Sequence, residues 1–166
     1  MHEPSVLFLD EPTSGVDPLA RRAFWRMINS CADHSMAILV TTHYLEEAEQ
    51  CNRLGLMVAG ELVAQGTPSS LKAAQKGHLL ELITDDAQLA NNVLKSQMER
   101  WRISLFGDRL HVIVDGEIQT GIRNVTGRLS SAGIHVITAH EEPYSLEDVF
   151  IAIVEQMRQE GKTAEE

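Results

Sequence analysis

The sequence has 166 residues, 43% hydrophobic and 23% charged, with a formal net charge of −10. That is the composition of a globular chain of one ordinary or two small domains, and it excludes a disordered one. The acidic balance argues against nucleic acid as a bulk electrostatic partner, and no run of about 18 apolar residues reads as a membrane span.

The N-terminal stretch MHEPSVLFLDEP lacks the basic flank and small-residue cleavage site of a signal peptide. Val6–Leu9 is a continuous apolar run, the mark of a strand buried on both faces. Asp17-Pro18 has the form of a helix start, with Asp17 as N-cap and Pro18 at the first helical position. Ala20, Ala23, Phe24, Met27, Ile28 and Cys31 follow at helical spacing, and Asp33-His34-Ser35 breaks the pattern. Met36–Thr42 reads as a second buried strand and Leu45–Gln50 as a short acidic helix. LGLMVAGELVAQG reads as two strands around a turn at Ala59-Gly60-Glu61, and Thr67-Pro68 opens a helix through Lys72. Alternating strand and helix predicts a parallel α/β sheet. The two cysteines, Cys31 and Cys51, stand in no metal or redox spacing and read as free core thiols of a reducing compartment.

The texture changes around Lys72–Gly77. Beyond it the pattern predicts a strand (Leu79–Thr84), a helix (Asp86–Gln97), a strand (Arg102–Phe106), a turn at Gly107-Asp108 and a strand (Leu110–Val114). A helix (Gly121–Ala132), a strand (His135–His140) and a last helix (Ser145–Gln159) complete it. The order βαββαβ plus a helix predicts a ferredoxin-like split βαβ unit. The domain reading is therefore 1–72, a linker at 73–77, 78–159, and a frayed polar tail at 160–166.

Asp10 and Glu11 end the first strand, where open α/β sheets bind their ligands. Adjacent strand residues point in opposite directions, so two neighbouring acids can divide two tasks. One can hold a hard cation such as Mg²⁺, and the other can orient or deprotonate an attacking water. Taken alone, an Asp-Glu pair after a strand fits solvated loop-entry acids equally well. His43 taken alone reads as a capped loop histidine.

The stretch LFLDEPTSGVDP resembles the Walker B motif and D-loop of ABC-type ATPases, with Val16 where the family usually has leucine. ILVTTH, Ile38–His43, resembles the family's switch histidine at the end of the next strand. YLEEAEQCNRLGLMVAGELVAQGTPSSL resembles the stretch that closes the nucleotide-binding domain. The three matches are collinear. The resemblance implies that Asp10 helps hold Mg²⁺ through its water shell. It implies that Glu11 polarises the hydrolytic water and that His43 contacts the γ-phosphate of ATP. It also implies that Ser14, Gly15 and Asp17 form a D-loop at the interface with a second nucleotide-binding domain.

The family's P-loop, Q-loop and LSGGQ-type signature have no counterpart here. Gly161-Lys162-Thr163 spells GKT, but the P-loop pattern needs glycine where Gln156 stands. Leu129–Gly133, LSSAG, reads as a helix C-terminus capped by Gly133. The chain is thus expected to be the C-terminal portion of a longer ATPase subunit and inactive by itself, since P-loop amides and lysine supply most of the phosphate grip.

Residues 78–159 resemble the accessory domain that follows the nucleotide domain in drug-export-type ABC subunits, best in PYSLEDVFIAIV, Pro143–Val154. Ser145 and Asp148 approximate a capping box, and Leu146, Val149, Phe150, Ile153, Val154 and Met157 form an apolar face expected to pack on the domain's own sheet. Trp101 reads as core. His78, His111, His135 and His140 show no tight metal spacing.

The fold expectation is therefore an α/β chain. It joins the C-terminal part of a P-loop NTPase parallel sheet to a small α+β ferredoxin-like domain. The resemblance implies a cytoplasmic subunit, peripheral on the inner membrane face, that couples Mg-ATP hydrolysis to export through a separate permease. Two other readings stay open: a non-catalytic regulatory or dimerisation module, and a soluble ABC-type ATPase.

Overall fold

The computed structural model describes residues 4–33, 36–159 and 161. The expected break at His34-Ser35 and, apart from Gly161, the tail at 160–166 lie outside the described residues. The chain divides into two compact units, Met1–Asn52 and Arg53–Glu166.

The first unit holds β1 (Val6–Asp10), α1 (Pro18–Asp33), β2 (Ala37–Thr41) and α2 (Leu45–Ala48). β1 and β2 pair in parallel, Val6 opposite Ala37 through to Asp10 opposite Thr41, so the two strands end level. The backbone N–H groups of Leu19 and Ala20 both donate to Asp17 Oδ1 at 3.0 Å, which starts α1 as the sequence predicts.

Two expectations for this unit need correction. The apolar composition of β1 and β2 suggests burial on both faces, yet Phe8 is 73% exposed and Leu39 58%, with Val6 beside them. These three alternate with half-buried Leu7, Leu9, Ile38 and Val40. Only one face of the pair is covered, because α1 is a single layer. The buried stripe of α1 is also rotated from the one expected. Trp25 and Ile28 are buried with Arg21, Phe24 and Cys31 half-buried, while Ala20, Ala23 and Met27 face solvent. Trp25 offers the larger apolar surface and takes the inner position.

The second unit begins with an antiparallel hairpin, β3 (Leu54–Val58) and β4 (Glu61–Gly66), followed by α3 (Pro68–Ala73). Ala59 and Gly60 both have positive φ (49° and 81°), the backbone that a two-residue turn between right-twisted strands requires. The Thr67 side chain caps α3 by accepting from Ser70 N–H at 3.0 Å.

Next come β5 (His78–Thr84), α4 (Ala87–Gln97), a single 3-10 turn (Arg100–Arg102), β6 (Ile103–Phe106) and β7 (Arg109–Val114). α5 (Ile118–Ser131), β8 (Val136–Glu142) and α6 (Leu146–Gln159) close the chain. The strands form one antiparallel sheet in the order β6-β7-β5-β8. Leu80, Leu82, Leu110 and Val112 point to one side, where Ala90 and Leu94 of α4 and Val125 and Leu129 of α5 cover them. Leu79 and Ile113 point the other way and meet Ala152 of α6, with Trp101 and Tyr144 packed around them. β5 is therefore covered on both faces, and five of its seven residues are buried. Of the predicted apolar face of α6, Leu146 and Val149 are buried while Phe150, Ile153, Val154 and Met157 are half-buried, and Ala152 makes the contact with the sheet; Trp101, expected as core, is half-buried beside it.

Boundaries differ locally. α5 starts three residues earlier than Gly121, because the carbonyl of Glu117 accepts from both Thr120 and Gly121 N–H. β8 runs two residues further, since Glu141 and Glu142 continue the ladder opposite Leu80 and Leu79. LSSAG closes α5: Ile134 N–H donates to Leu129 O at 3.0 Å around Gly133 at φ 79°.

Two glycines separate backbone conformation from crowding. Gly77 has φ 82°, and a Cβ there would meet Val114 O at 2.5 Å, whereas Gly133 has φ 79° with open space around it. Gly133→Ala should cost about 1 kcal/mol and Gly77→Ala about 2–3 kcal/mol, because the latter adds a collision with β7 to the same backbone strain. Urea unfolding followed by circular dichroism measures both; equal shifts in midpoint would remove the steric argument.

Candidate functional site

β1 carries Asp10 and Glu11, and β2 carries Thr41, Thr42 and His43, to the same carboxyl end of the parallel pair. The Thr41 hydroxyl donates to Asp10 Oδ1. Glu11 N–H donates to Thr41 O at 3.0 Å and lies 3.2 Å from Thr41 Oγ1. Glu11 also has φ 42°, a left-handed backbone uncommon for a non-glycine residue and costing about 1–3 kcal/mol. The turn takes its carboxylate off the line of the strand. His43 Nδ1 lies 3.4 Å from Glu11 Oε1, with both side chains about half exposed, and the His43 ring leans on Tyr44 at 4.1 Å between centroids. Asp10, Glu11 and His43, predicted separately along the sequence, therefore stand together at one strand end.

The loop after Glu11 is tight. Ser14 N–H donates to Glu11 O and Val16 N–H to Thr13 O, both at 3.1 Å, and Gly15 turns at φ 72°. Ser14 and Gly15 face solvent, while Asp17 Oδ1 is engaged in capping α1.

Glu47 of α2 organises this end of the unit and was not singled out in the sequence. Its side chain is 2% exposed. Thr13 Oγ1 donates to Oε1, and Thr42 Oγ1 donates to Oε2 at 2.8 Å. Arg21 Nε of α1 lies 3.2 Å from Oε1, and the Arg21 guanidinium stacks over the Tyr44 ring at 4.2 Å. One carboxylate thus ties the loop after Glu11 to the residue before His43. Arg21 stands beside Arg22 in α1, and nothing local in the sequence marks which of the two meets Glu47. Burial, and then the charge of Glu47, push the Cys51 thiol up, which keeps it protonated.

The donor set suits a hard cation that keeps most of its waters. Mg²⁺ is commonly held by one or two carboxylates together with phosphate oxygens, and Asp10 and Glu11 are oxygen donors at an open strand end. Among the described residues no group of three or more His, Cys, Asp or Glu is arranged to hold a metal alone.

No family model matches the chain. Over 73 residues, 44% of the chain and 13% of the relative, it is 60% identical to the probable multidrug ABC transporter ATP-binding protein YbhF of Escherichia coli K12. Over 155 residues, 92% of the chain and 48% of the relative, it is 36% identical to the Nod factor export ATP-binding protein I of Burkholderia pseudomallei strain 1710b. The Nod factor export ATP-binding protein I of Paraburkholderia xenovorans LB400 matches over the same shares at 34%. The chain belongs to the family of ABC transporter ATP-binding proteins, and these relatives are consistent with its drug-export type. It spans about half the length of the Nod factor export proteins it matches.

Removing Glu47 tests its organising role. Glu47→Ala leaves Arg21 without its carboxylate and two threonine hydroxyls without an acceptor, and should destabilise the first unit by about 3–5 kcal/mol. Trp25 fluorescence in a Trp101→Phe background reads that unit during urea unfolding. A loss under 1 kcal/mol would show that the loop and β2 hold their places without it.

Proposed function

We propose that this chain supplies the Walker B carboxylates, D-loop and switch histidine of an ATP-hydrolysing ABC transporter subunit. The observation that carries the reading is the convergence of Asp10, Glu11 and His43 at one end of a parallel strand pair, two acids and an imidazole drawn from separate segments. Phosphoryl transfer asks the protein for positioning and charge neutralisation more than covalent chemistry. Asp10, steadied by Thr41, would hold Mg²⁺ through its waters. Glu11, turned out of the strand, would orient and polarise the attacking water, and His43 beside it would contact the terminal phosphate of ATP. Ser14, Gly15 and Asp17 would face a second nucleotide-binding domain.

Residues 1–72 would complete a nucleotide-binding domain, with 73–77 as linker and 78–159 as a ferredoxin-like accessory domain. The element order βαββαβ and the strand order β6-β7-β5-β8 support that last assignment. Coupling would run to a separate permease, in the direction of export, with the subunit cytoplasmic at the inner membrane face. Among the described residues no helix is long and apolar enough to cross a membrane. The open apolar face of β1 and β2, with Phe8 and Leu39 outermost, suits strands whose second face is covered in a larger sheet.

A second reading, a non-catalytic regulatory module, draws on one feature. The sequence contains no G-x-x-x-x-G-K-[ST], so nothing here matches the usual phosphate cradle. Both readings predict no calorimetric heat when the 166-residue chain is titrated with Mg-ATP to millimolar concentration, and micromolar binding would overturn the assignment of the phosphate grip elsewhere. They part in a polypeptide that joins these residues to a P-loop. There Glu11→Gln should lower turnover by at least about 10²-fold while ATP still binds. Turnover near that of the unaltered protein would take Glu11 out of the water-activating role.

A further inference from the structure

A second cluster of charged groups lies in the second unit, on the sheet face covered by α6, and it is independent of the ATPase reading. Glu81 of β5 is paired across the ladder with His111 of β7 on one side and His140 of β8 on the other. Its side chain is 10% exposed, and Arg109 Nη1 reaches its two oxygens at 3.1 and 3.2 Å. His111 Nε2 stands 3.4 Å from Glu81 Oε2. On the other side of the ring, His111 Nδ1 lies 2.6 Å from Oδ1 of Asp148, whose side chain is 3% exposed in the first turn of α6. The second oxygen of Asp148 accepts from Ser145 N–H at 2.9 Å and from its hydroxyl at 2.6 Å. The Phe106 ring covers the imidazole at 4.7 Å.

A neutral imidazole carries one N–H, and an ionised carboxylate only accepts. His111 is flanked by two carboxylates, so both of its nitrogens are satisfied only in the imidazolium form. Glu81, Asp148, Arg109 and His111 then sum to zero charge. Loss of the proton turns a nitrogen lone pair toward a carboxylate and leaves one uncompensated negative charge where water is scarce. The other groups nearby do not replace it. His140 lies between Glu81 at 3.7 Å and Glu142 at 3.6 Å and is half exposed. Asp108 adds its charge on the Arg109 side. Arg102, in the 3-10 turn against α6, is held by Glu99 and Asp115. The Tyr144 phenol, pushed up to about 12 by burial and then by Asp148, stays neutral.

We propose that protonated His111 is a latch that ties the first turn of α6 to the sheet, and that loss of its proton loosens α6, making the docking of this helix sensitive to pH. Burial opposes the charge on His111, but its hydrogen bond to Asp148 and the charges of Asp148 and Glu81 outweigh this and raise its pKa above the ordinary 6.5. A folded value raised above the unfolded one contributes stability that is whole below about 6.5 and lost as pH climbs through the folded value. Burial likewise opposes the charges on Asp148 and Glu81. For Asp148 the hydrogen bonds from His111 and Ser145 prevail, and for Glu81 those from Arg109 and His111, so both are lowered. Their contributions are present above their unfolded values and lost as pH falls through the folded ones. The latch is closed between these limits and opens on the alkaline side.

Hydrogen exchange of the full chain, corrected for intrinsic rates, tests this. Protection of the α6 segment 146–155 should fall between pH 6.5 and 9 by about tenfold for each unit that the folded pKa of His111 exceeds 6.5, while the α4 segment 87–97 holds. His111→Gln and Asp148→Asn should each abolish the dependence, and His140→Gln should keep it. A flat profile in the unaltered chain, or an unchanged dependence in His111→Gln, would overturn the latch. Should either variant fail to fold, the 15N titration of His111 in the unaltered chain decides, and a midpoint at or below 6.5 refutes the proposal.

Discussion

A carboxylate withdrawn from water keeps its charge only where donors surround it, and this constraint arranges the candidate site. Glu47 is buried in a helix of four residues, too short to hold a position by its own hydrogen bonds. Its surroundings hold it instead: Thr13 from the loop after β1, Thr42 from the end of β2, and Arg21 from α1. Because two hydroxyl donors and one cation come from three segments, satisfying the acid also sets where those segments stand. Glu11 precedes Thr13 by two residues and His43 follows Thr42 directly. The 3.4 Å separation of Glu11 and His43 therefore rests on a buried group outside the pair.

The second unit solves the same problem with different chemistry. Asp148 and Glu81 are also buried acids, but their donors include an imidazole as well as hydroxyl, backbone and guanidinium groups. Threonine hydroxyls and arginine hold their donors at every physiological pH, whereas histidine does not. Ser145 and Asp148 close a reciprocal cap at the same point, so the start of α6 is fixed locally by the cap and globally through His111.

Local signals in the sequence carried much of this architecture. Asp17-Pro18, Thr67-Pro68 and Ser145 with Asp148 marked three helix starts that the structure confirms by hydrogen bonds to their side chains. The turn at Ala59-Gly60 and the order of strands and helices were equally legible, since turn chemistry and periodicity act within a few residues. Long-range packing was not. Met27 and Trp25 are two residues apart, and only the competition for the interior of the unit decides that tryptophan enters it. Asp10 and Glu11 were legible as acids at a strand end, but their division of roles and the choice of His43 came from the resemblance to ABC-type ATPases, since neither follows from the local pattern alone. Glu47 is one of three acids in LEEAEQ, and nothing local distinguishes the buried one. His111 was legible only as a strand histidine, because its two acids lie 30 residues upstream and 37 downstream.

The two histidines that matter most show how burial divides the tasks one side chain can perform. His43 is 55% exposed, stacked on Tyr44 at an open strand end, and has one carboxylate within 4 Å. An imidazole so placed can meet an arriving ligand without first breaking an internal bond. His111 is 15% exposed, with a carboxylate against each nitrogen and an aromatic ring over its face. Both of its nitrogens are engaged by protein carboxylates, so its titration changes the protein's own contacts. Chemistry that must meet a substrate belongs at the first position, and control of the protein's own packing belongs at the second. The chain keeps them in separate compact units.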